Sequence, residues 1–235
     1  MRYGLVIGLA LVLWGTSRVG FADDKQAERL EKSAEVMTDI MRTPDKGIPR
    51  DLMDKSVCVG VIPSEKKLAF GIGATYGRGA LVCRRGGNGP WGAPSMFTVG
   101  GANFGFQLGG EETDFVLLVM NGRGAEKLLQ DSTKLGADAS AAAGPVGRSA
   151  EGSTDLQLHA EILTYSRSRG AFAGVSLDGQ MFKQDGDSNE KLYGHKARPQ
   201  DILFKGVVPT PAAAQPLVTA LTEFSSRGGE AFQPE

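Results

Sequence analysis

From residue 56 to residue 120 the chain runs through apolar stretches that glycine interrupts every few residues. No amphipathic segment long enough for a crossover helix lies between them. Parallel strands need connections of a dozen residues or more, so strands joined this directly pair antiparallel. Glycine supplies 33 of 235 residues, about twice the usual ~7%, with no collagen-like period and no linker block. Its spread predicts bends, bulges and tight turns within strands. A strongly bent sheet of many strands closes toward a barrel or splits into a sandwich. The expected class is α+β: a mainly antiparallel, glycine-rich sheet closing toward a barrel or sandwich, with an amphipathic N-terminal helix and a C-terminal helix.

The helix expectations rest on spacing. Over residues 24–42, Ala27, Leu30, Ala34, Met37 and Met41 recur at 3-4-3-4 intervals, and Val36 and Ile40 widen the stripe. Pro44 and Gly47 close this helix, and a short second helix starts around residues 49–53. Ala214, Leu217, Val218, Leu221 and Phe224 mark a C-terminal helix after Pro211, with a frayed tail from Ser225.

Between the helices, VCVGVIP, KLAFGIGATYG and GALVCRR predict three strands with turns at Pro63-Ser64-Glu65 and Gly77-Arg78-Gly79. DFVLLVM (Asp114–Met120) predicts a strand buried on both faces, ended by Asn121-Gly122 and followed by a short helix over Ala125–Leu129. The small-residue stretch 136–152 predicts close backbone packing, not a domain boundary. Further strands fall within Leu156–Ser168 and 171–179. Asp185–Asn189 reads as a polar loop, and Ile202–Phe204 as a last short strand. One domain is expected over 23–207, with 208–235 as C-terminal helix and tail.

Residues 1–22 have the form of a secretory leader. Arg2 precedes a short apolar run, Tyr3–Trp14, and Gly20-Phe21-Ala22 places small residues at the cleavage positions. The alternative is a short membrane anchor, although the run is too short for the ~30 Å core of a bilayer. Cleavage predicts an exported chain, periplasmic or extracellular. In an oxidising compartment Cys58 and Cys83 are either bridged or buried as free thiols.

The search for bond-making chemistry returns little. A formal net charge of -1 argues against a nucleic-acid partner. No Gly-x-Ser-x-Gly surrounds a serine, and the glycine motifs around Gly71–Gly77 and Gly144–Gly147 lack nucleotide-loop spacing. His159 and Glu161 can share a strand face, but a lone imidazole carries no mechanism. Asp185-Gly-Asp187-Ser-Asn189 starts like a calcium loop and then lacks its glycine and its final glutamate. No enzyme, metal or cofactor is expected.

Surface remains. From Lys25 to Arg42 the helix carries four basic and four acidic charges opposite its apolar stripe. Segment 65–85 holds Lys66, Lys67, Arg78, Arg84 and Arg85 against only Glu65. Each cation near an anionic membrane contributes about 1 kcal/mol. Four runs in order then resemble one family: KGIPRDLMDKSVCVGVIPSEKKLAFGIGATYGRGALVCR, GPWGAPSMFTVGGANFGFQLGGEETDFVLLVMN, KLGADASAAAGPVGRSAE and AEILTYSRSRGAFAGVSLDG. They resemble the SYLF domain family over roughly residues 28–206.

The resemblance implies peripheral binding of anionic phospholipid or phosphoinositide membranes through an amphipathic helix and basic surface, and actin binding in some members. The residues expected at a lipid surface are Leu30, Met37, Met41, Lys46, Lys66, Lys67, Arg78, Arg84 and Arg85. The competing expectation is an envelope protein-interaction or actin-binding module without lipid dependence, whose protein partner the sequence does not name. The direction in which Leu30, Met37 and Met41 point separates the two.

Overall fold

The computed structural model describes residues 24–43, 47–70, 72–103, 109–146, 159–168 and 171–225. The leader 1–22, Lys46 and the tail beyond Ser225 lie outside the described residues. No helix among the described residues is long and apolar enough to cross a membrane.

Two helices open the fold, α1 (Asp24–Arg42) and α2 (Arg50–Lys55). Four long strands follow: β1 (Cys58–Phe70), β2 (Ile72–Arg84), β3 (Trp91–Asn103) and β4 (Gly109–Val119). A short helix α3 (Gly122–Leu128) leads to β5 (Ser132–Lys134), β6 (Ala141–Ala143), β7 (Ile162–Ser168), β8 (Ala171–Gly174) and β9 (Met181–Gln184). The chain closes with α4 (Gly186–Tyr193), α5 (Pro199–Leu203) and α6 (Gln215–Glu223).

The sheet order is β5-β9-β3-β2-β1-β4-β7-β6, with β8 added on β7. Every described pairing between named strands is antiparallel except β6 with β7. The fold class is as expected: an α+β domain whose mostly antiparallel sheet curls as a half-barrel.

Four local expectations need correction. The turns placed at Pro63–Glu65 and Gly77–Gly79 are bends inside β1 and β2, which form one long hairpin with Phe70 opposite Ile72. The register slips between Val61 and Lys66, where Ser64 takes φ 56°. Gly79 lies opposite this slip because a Cβ there would stand 2.4 Å from the Val61 carbonyl oxygen and 2.5 Å from the Phe97 ring. The glycine marks a close approach, not a reversal.

Asp185–Asn189 is not a loop but the start of α4. The Asp185 carboxylate accepts from the Ser188 N–H at 3.0 Å, and capping outweighs the polar composition. Residues 202–204 are not a strand but the end of α5, set by Pro199 in its first turn and the Arg198–Asp201 ion pair. Ser225 is not frayed: its hydroxyl accepts from Trp91 Nε1 at 3.0 Å and donates to the Leu221 carbonyl.

Strand alternation divides the core in two. Val59, Val61, Ala80, Val82, Met96, Val116, Leu118 and Leu163 face one side, where α1, α2 and α6 cover them. Cys58, Ile62, Leu81, Cys83, Phe97, Phe115, Leu117 and Val119 face the other, covered by α3, by Leu135 and Ala139, and by Leu177 and Leu203. DFVLLVM is a continuous apolar run because both of its faces are buried.

Cys58 and Cys83 sit opposite each other in the β1–β2 ladder and are bridged, across a sequence separation of 25. Loop-closure entropy makes such a bridge worth about 3.5 kcal/mol. In the small-residue segment, Gly144 packs on the Tyr165 ring and Gly174 on the Gly144 carbonyl, closer than any side chain permits. Residues 147–152 of that segment lie outside the described residues.

Glu161 does not pair with His159. Its carboxylate takes Lys127 Nζ at 2.7 Å and the Ser140 N–H at 2.9 Å, which pins α3 and the β6 entry to β7. Burial pushes this carboxyl up, but Lys127 and the Ser140 N–H outweigh it and hold it below its ordinary 4.5. The folded value is therefore lower than the unfolded one. Its stabilisation is complete above about pH 4.5 and is lost as pH falls through the depressed folded value. Glu161→Gln should cost about 1.5–3 kcal/mol at pH 7. Urea unfolding of the two proteins should converge as pH drops below that window.

Candidate functional site

The amphipathic stripe of α1 points inward. Leu30, Met37 and Ile40 are 0% exposed and Val36 is 3% exposed. Met41 is half-buried against the same cluster. The helix packs on α6, where Leu217 and Leu221 belong to its core and Arg42 pairs with Glu223 at 3.1 Å.

A second row of α1 residues, Gln26, Arg29 and Ser33, follows the same helical spacing and is also buried. The sequence reading placed Arg29 on the outer charged face, whereas it is 8% exposed. It borders a cavity of about 460 Å³ between the first turns of α1 and the bend of the β1–β2 hairpin. Lys25, Glu28, Arg29 and Lys32 form one wall, and Pro63, Ser64, Tyr76, Gly77 and Arg78 the other. This is also where the strand register slips.

Within the cavity wall, Glu28 is held by Lys32 at 2.7 Å. Arg78 Nε donates to the Tyr76 hydroxyl at 2.7 Å and its guanidinium lies 5.6 Å from the Tyr76 ring centre. That hydrogen bond raises Arg78 above its ordinary value. Tyr76 is 50% exposed, one of two large apolar side chains that stand out from the described surface. Burial lowers Arg29, Asp185 opposes that shift, and neighbouring Arg78 adds to it. Nη1 of Arg29 is buried and has no hydrogen-bond partner.

At the back of the bend, Arg167 of β7 ties three elements together. Its Nε donates to Asp114 of β4 at 2.6 Å, and its Nη1 pairs with Asp39 of α1. The other Asp114 oxygen accepts from the Ser64 N–H at 2.8 Å, which supports the left-handed residue. Burial works against the Arg167 charge, but the two aspartates outweigh it and raise the group.

The expected lipid-facing residues are scattered by this arrangement. Leu30 and Met37 are core. Arg84 is 0% exposed, 4.1 Å from the Trp91 ring centre, with Nε donating to the Ser56 carbonyl. Arg78 and Arg85 are exposed. Lys66 and Lys67 stand in register with Glu112 and Glu111 of β4, so acidic positions lie across the ladder from the basic run. Sequence reasoning missed Arg29 and Tyr76 as site residues. For Arg29 the signal was its place in line with Gln26 and Ser33. For Tyr76 there was none, because its exposure depends on the bend.

Among the described residues no three His, Cys, Asp or Glu side chains are grouped to hold a metal ion. The Nδ1 atom of His195 lies 3.0 Å from the Tyr193 carbonyl oxygen.

A family model described as "Ysc84: Las17-binding protein actin regulator" matches residues 100–224. The chain is 36% identical over 185 residues to SH3 domain-containing YSC84-like protein 1 of Rattus norvegicus, covering 78% of this chain and 54% of that protein. It is 34% identical over 181 residues to LAS seventeen-binding protein 3 of Saccharomyces cerevisiae, covering 75% and 39%. An SH3 domain-containing protein of Schizosaccharomyces pombe is 38% identical over 165 residues, covering 68% and 38%. The chain thus spans about half or less of the length of these relatives.

Removing the Arg167 tie leaves Asp114 half-paired in a nearly closed position. Arg167→Met should destabilise the domain by about 1.5–3 kcal/mol and speed amide exchange in α1 more than in α4. Urea midpoints and hydrogen exchange read the two effects. Equal exchange in both helices would mean that Arg167 does not hold α1.

Proposed function

The chain belongs to the Ysc84 (SYLF) family, and from that premise we propose that it is a non-catalytic docking module for a protein assembly of the actin-regulating kind. The observation that carries this reading is the inward direction of Leu30, Met37 and Ile40. Burying Leu30, Val36, Met37 and Ile40 contributes about 6–12 kcal/mol at ~1.5–3 per side chain, as an upper estimate. Whole domains are stable by only about 5–15 kcal/mol.

A bilayer would rebury the helix but leave Val59, Val61, Val116 and Leu118 of the sheet bare. Insertion of the stripe therefore competes with the fold itself. A rigid face, in contrast, suits protein docking. Exposed Tyr76 with Arg78 across its ring is the residue pair that interface energetics favour. The family description and the yeast relative's name supply the first partners to try, actin and Las17.

In co-sedimentation with filamentous actin, the purified chain should enter the pellet. Tyr76→Ala should weaken binding tenfold or more without changing the melting temperature. A chain that stays in the supernatant with actin, with or without Las17, overturns actin and Las17 as the partners. A second reading, electrostatic docking on anionic membranes, is favoured by the exposed Arg78 and Arg85. Here α1 stays packed, and the contact is basic surface alone. Vesicle sedimentation should then show binding that rises with anionic lipid and falls with salt and in Arg78→Glu/Arg85→Glu; binding indifferent to all of these would sink it.

We also propose export. The leader-like residues 1–22 and the Cys58–Cys83 bridge support it, because such bridges persist in oxidising compartments. For an exported chain the partner is an envelope protein met through the same face. Intact mass of the native protein should correspond to a chain that starts at Asp23 and carries the bridge. A full-length, reduced chain would dismiss export.

A further inference from the structure

We propose that the cavity between α1 and the β1–β2 bend receives a short acidic segment of a protein partner, with an aspartate or glutamate carboxylate of that segment on Arg29 and Arg78. The proposal rests on the protein-docking reading and deepens it, since it specifies what the partner must present.

The shape of the cavity sets the length of the segment. Its α1 wall runs from Lys25 to Lys32, about 10 Å at ~1.5 Å per residue. Three extended residues cover that distance at ~3.3 Å each. The facing wall mixes apolar surface with charge: Pro63 and Tyr76 stand beside Arg78. Tyr76 is 50% exposed, and the Arg78 guanidinium lies 5.6 Å from its ring centre. A peptide brings an apolar side chain to such a ring and a charge to the cation beside it. Tyrosine with arginine is also the composition of the dominant contacts in protein interfaces.

Charge selects the sign of the segment. Four of the nine lining residues are cationic, and the acid among them, Glu28, is paired with Lys32. Arg29 then needs an acceptor. It is 8% exposed, its Nη1 is buried without a hydrogen-bond partner among the described residues, and Arg78 presses on it with like charge. Asp185 opposes that pressure, but its carboxylate accepts from the Ser188 N–H and hydroxyl. A buried donor without an acceptor is costly. A carboxylate between the α1 and β2 walls supplies the acceptor in the two-oxygen form that a guanidinium fork matches.

Burial divides the labour among the cations. Lys25 and Arg78 are exposed and steer the approach, which acts on the association rate. Arg29 is buried and holds the docked carboxylate, which acts on the dissociation rate.

The test uses the purified full chain with hexaglutamate, acetylated and amidated at its ends, as the acidic probe. Hexaglutamine with the same ends is the neutral probe. The expected result is saturable binding of hexaglutamate that weakens with salt, and no binding of hexaglutamine. Affinity should fall at least tenfold in Arg29→Gln and in Arg78→Gln, and stay unchanged in Arg50→Gln, an exposed cation at the start of α2. The loss in Lys25→Gln should lie in the association rate, and that in Arg29→Gln in the dissociation rate. Arg78 is exposed, so its variant stays informative if Arg29→Gln unfolds.

Equal binding of the two peptides, or equal affinities in Arg78→Gln and Arg50→Gln, overturns the proposal. So does binding of phosphatidylcholine vesicles that contain phosphatidic acid with no response to hexaglutamate, since the cavity is then a membrane contact. A protein arm keeps the two readings apart. If actin or Las17 binds and hexaglutamate does not compete, docking stands and the acidic segment falls. If hexaglutamate binds and neither protein does, the site stands and those two partners fall.

Discussion

The fold depends on a sheet buried on both faces. In an antiparallel sheet one face is commonly left to water, and strands then alternate between apolar and polar residues. Here Val59, Val116 and Leu118 need α1 and α6, while Phe97, Phe115 and Leu117 need α3 and the chain around Leu135 and Leu177. The consequence for α1 is direct. Its stripe is not a surface feature awaiting a membrane but the lid over half of the core. An amphipathic helix with a neutral polar face is what such a lid looks like, since the solvent side needs solubility and not membrane affinity.

Much of this was legible in the sequence because it followed from period. The 3-4 spacing from Ala27 to Met41 located α1 to the residue, and DFVLLVM announced a strand covered on both sides. Punctuation was harder to read. Gly77-Arg78-Gly79 and Pro63-Ser64-Glu65 have the composition of turns, yet they bend two 13-residue strands. Glycine signals only that the backbone needs room. Whether the room serves a reversal or the Phe97 ring is decided by a strand that is distant in sequence. The same limit hid the helical character of residues 185–193, where one capping aspartate outweighed a polar stretch.

The site was less legible than the fold. Counting charges along residues 65–85 gave a basic patch, but a count along the chain ignores what lies across the ladder. Lys66 and Lys67 meet Glu112 and Glu111 in register, and Arg84 is withdrawn against Trp91. Arg29, read as one solvated charge among eight, turned inward beside Arg78. A net charge near zero thus conceals an uneven placement: Lys25, Arg29, Lys32 and Arg78 gather at one bend, where Glu28 is the acid among the lining residues.

That bend is where the sheet departs most from regularity. The register slip between Val61 and Lys66 lies beside the cavity, whose wall includes Pro63 and Ser64. Such a bulge would be a weak point on its own, but two devices hold it. On the α1 side, Asp114 receives the Ser64 N–H and Arg167, and Arg167 reaches on to Asp39. On the opposite face, the Cys58–Cys83 bridge locks the base of the same hairpin. The polar tie can be loosened by charge, and the covalent one only by reduction. Hence a ligand or partner that engages Arg29 and Arg78 acts on a hairpin whose base cannot slide, and the energy of the contact goes into holding α1 and the bend together instead of into rearranging the sheet.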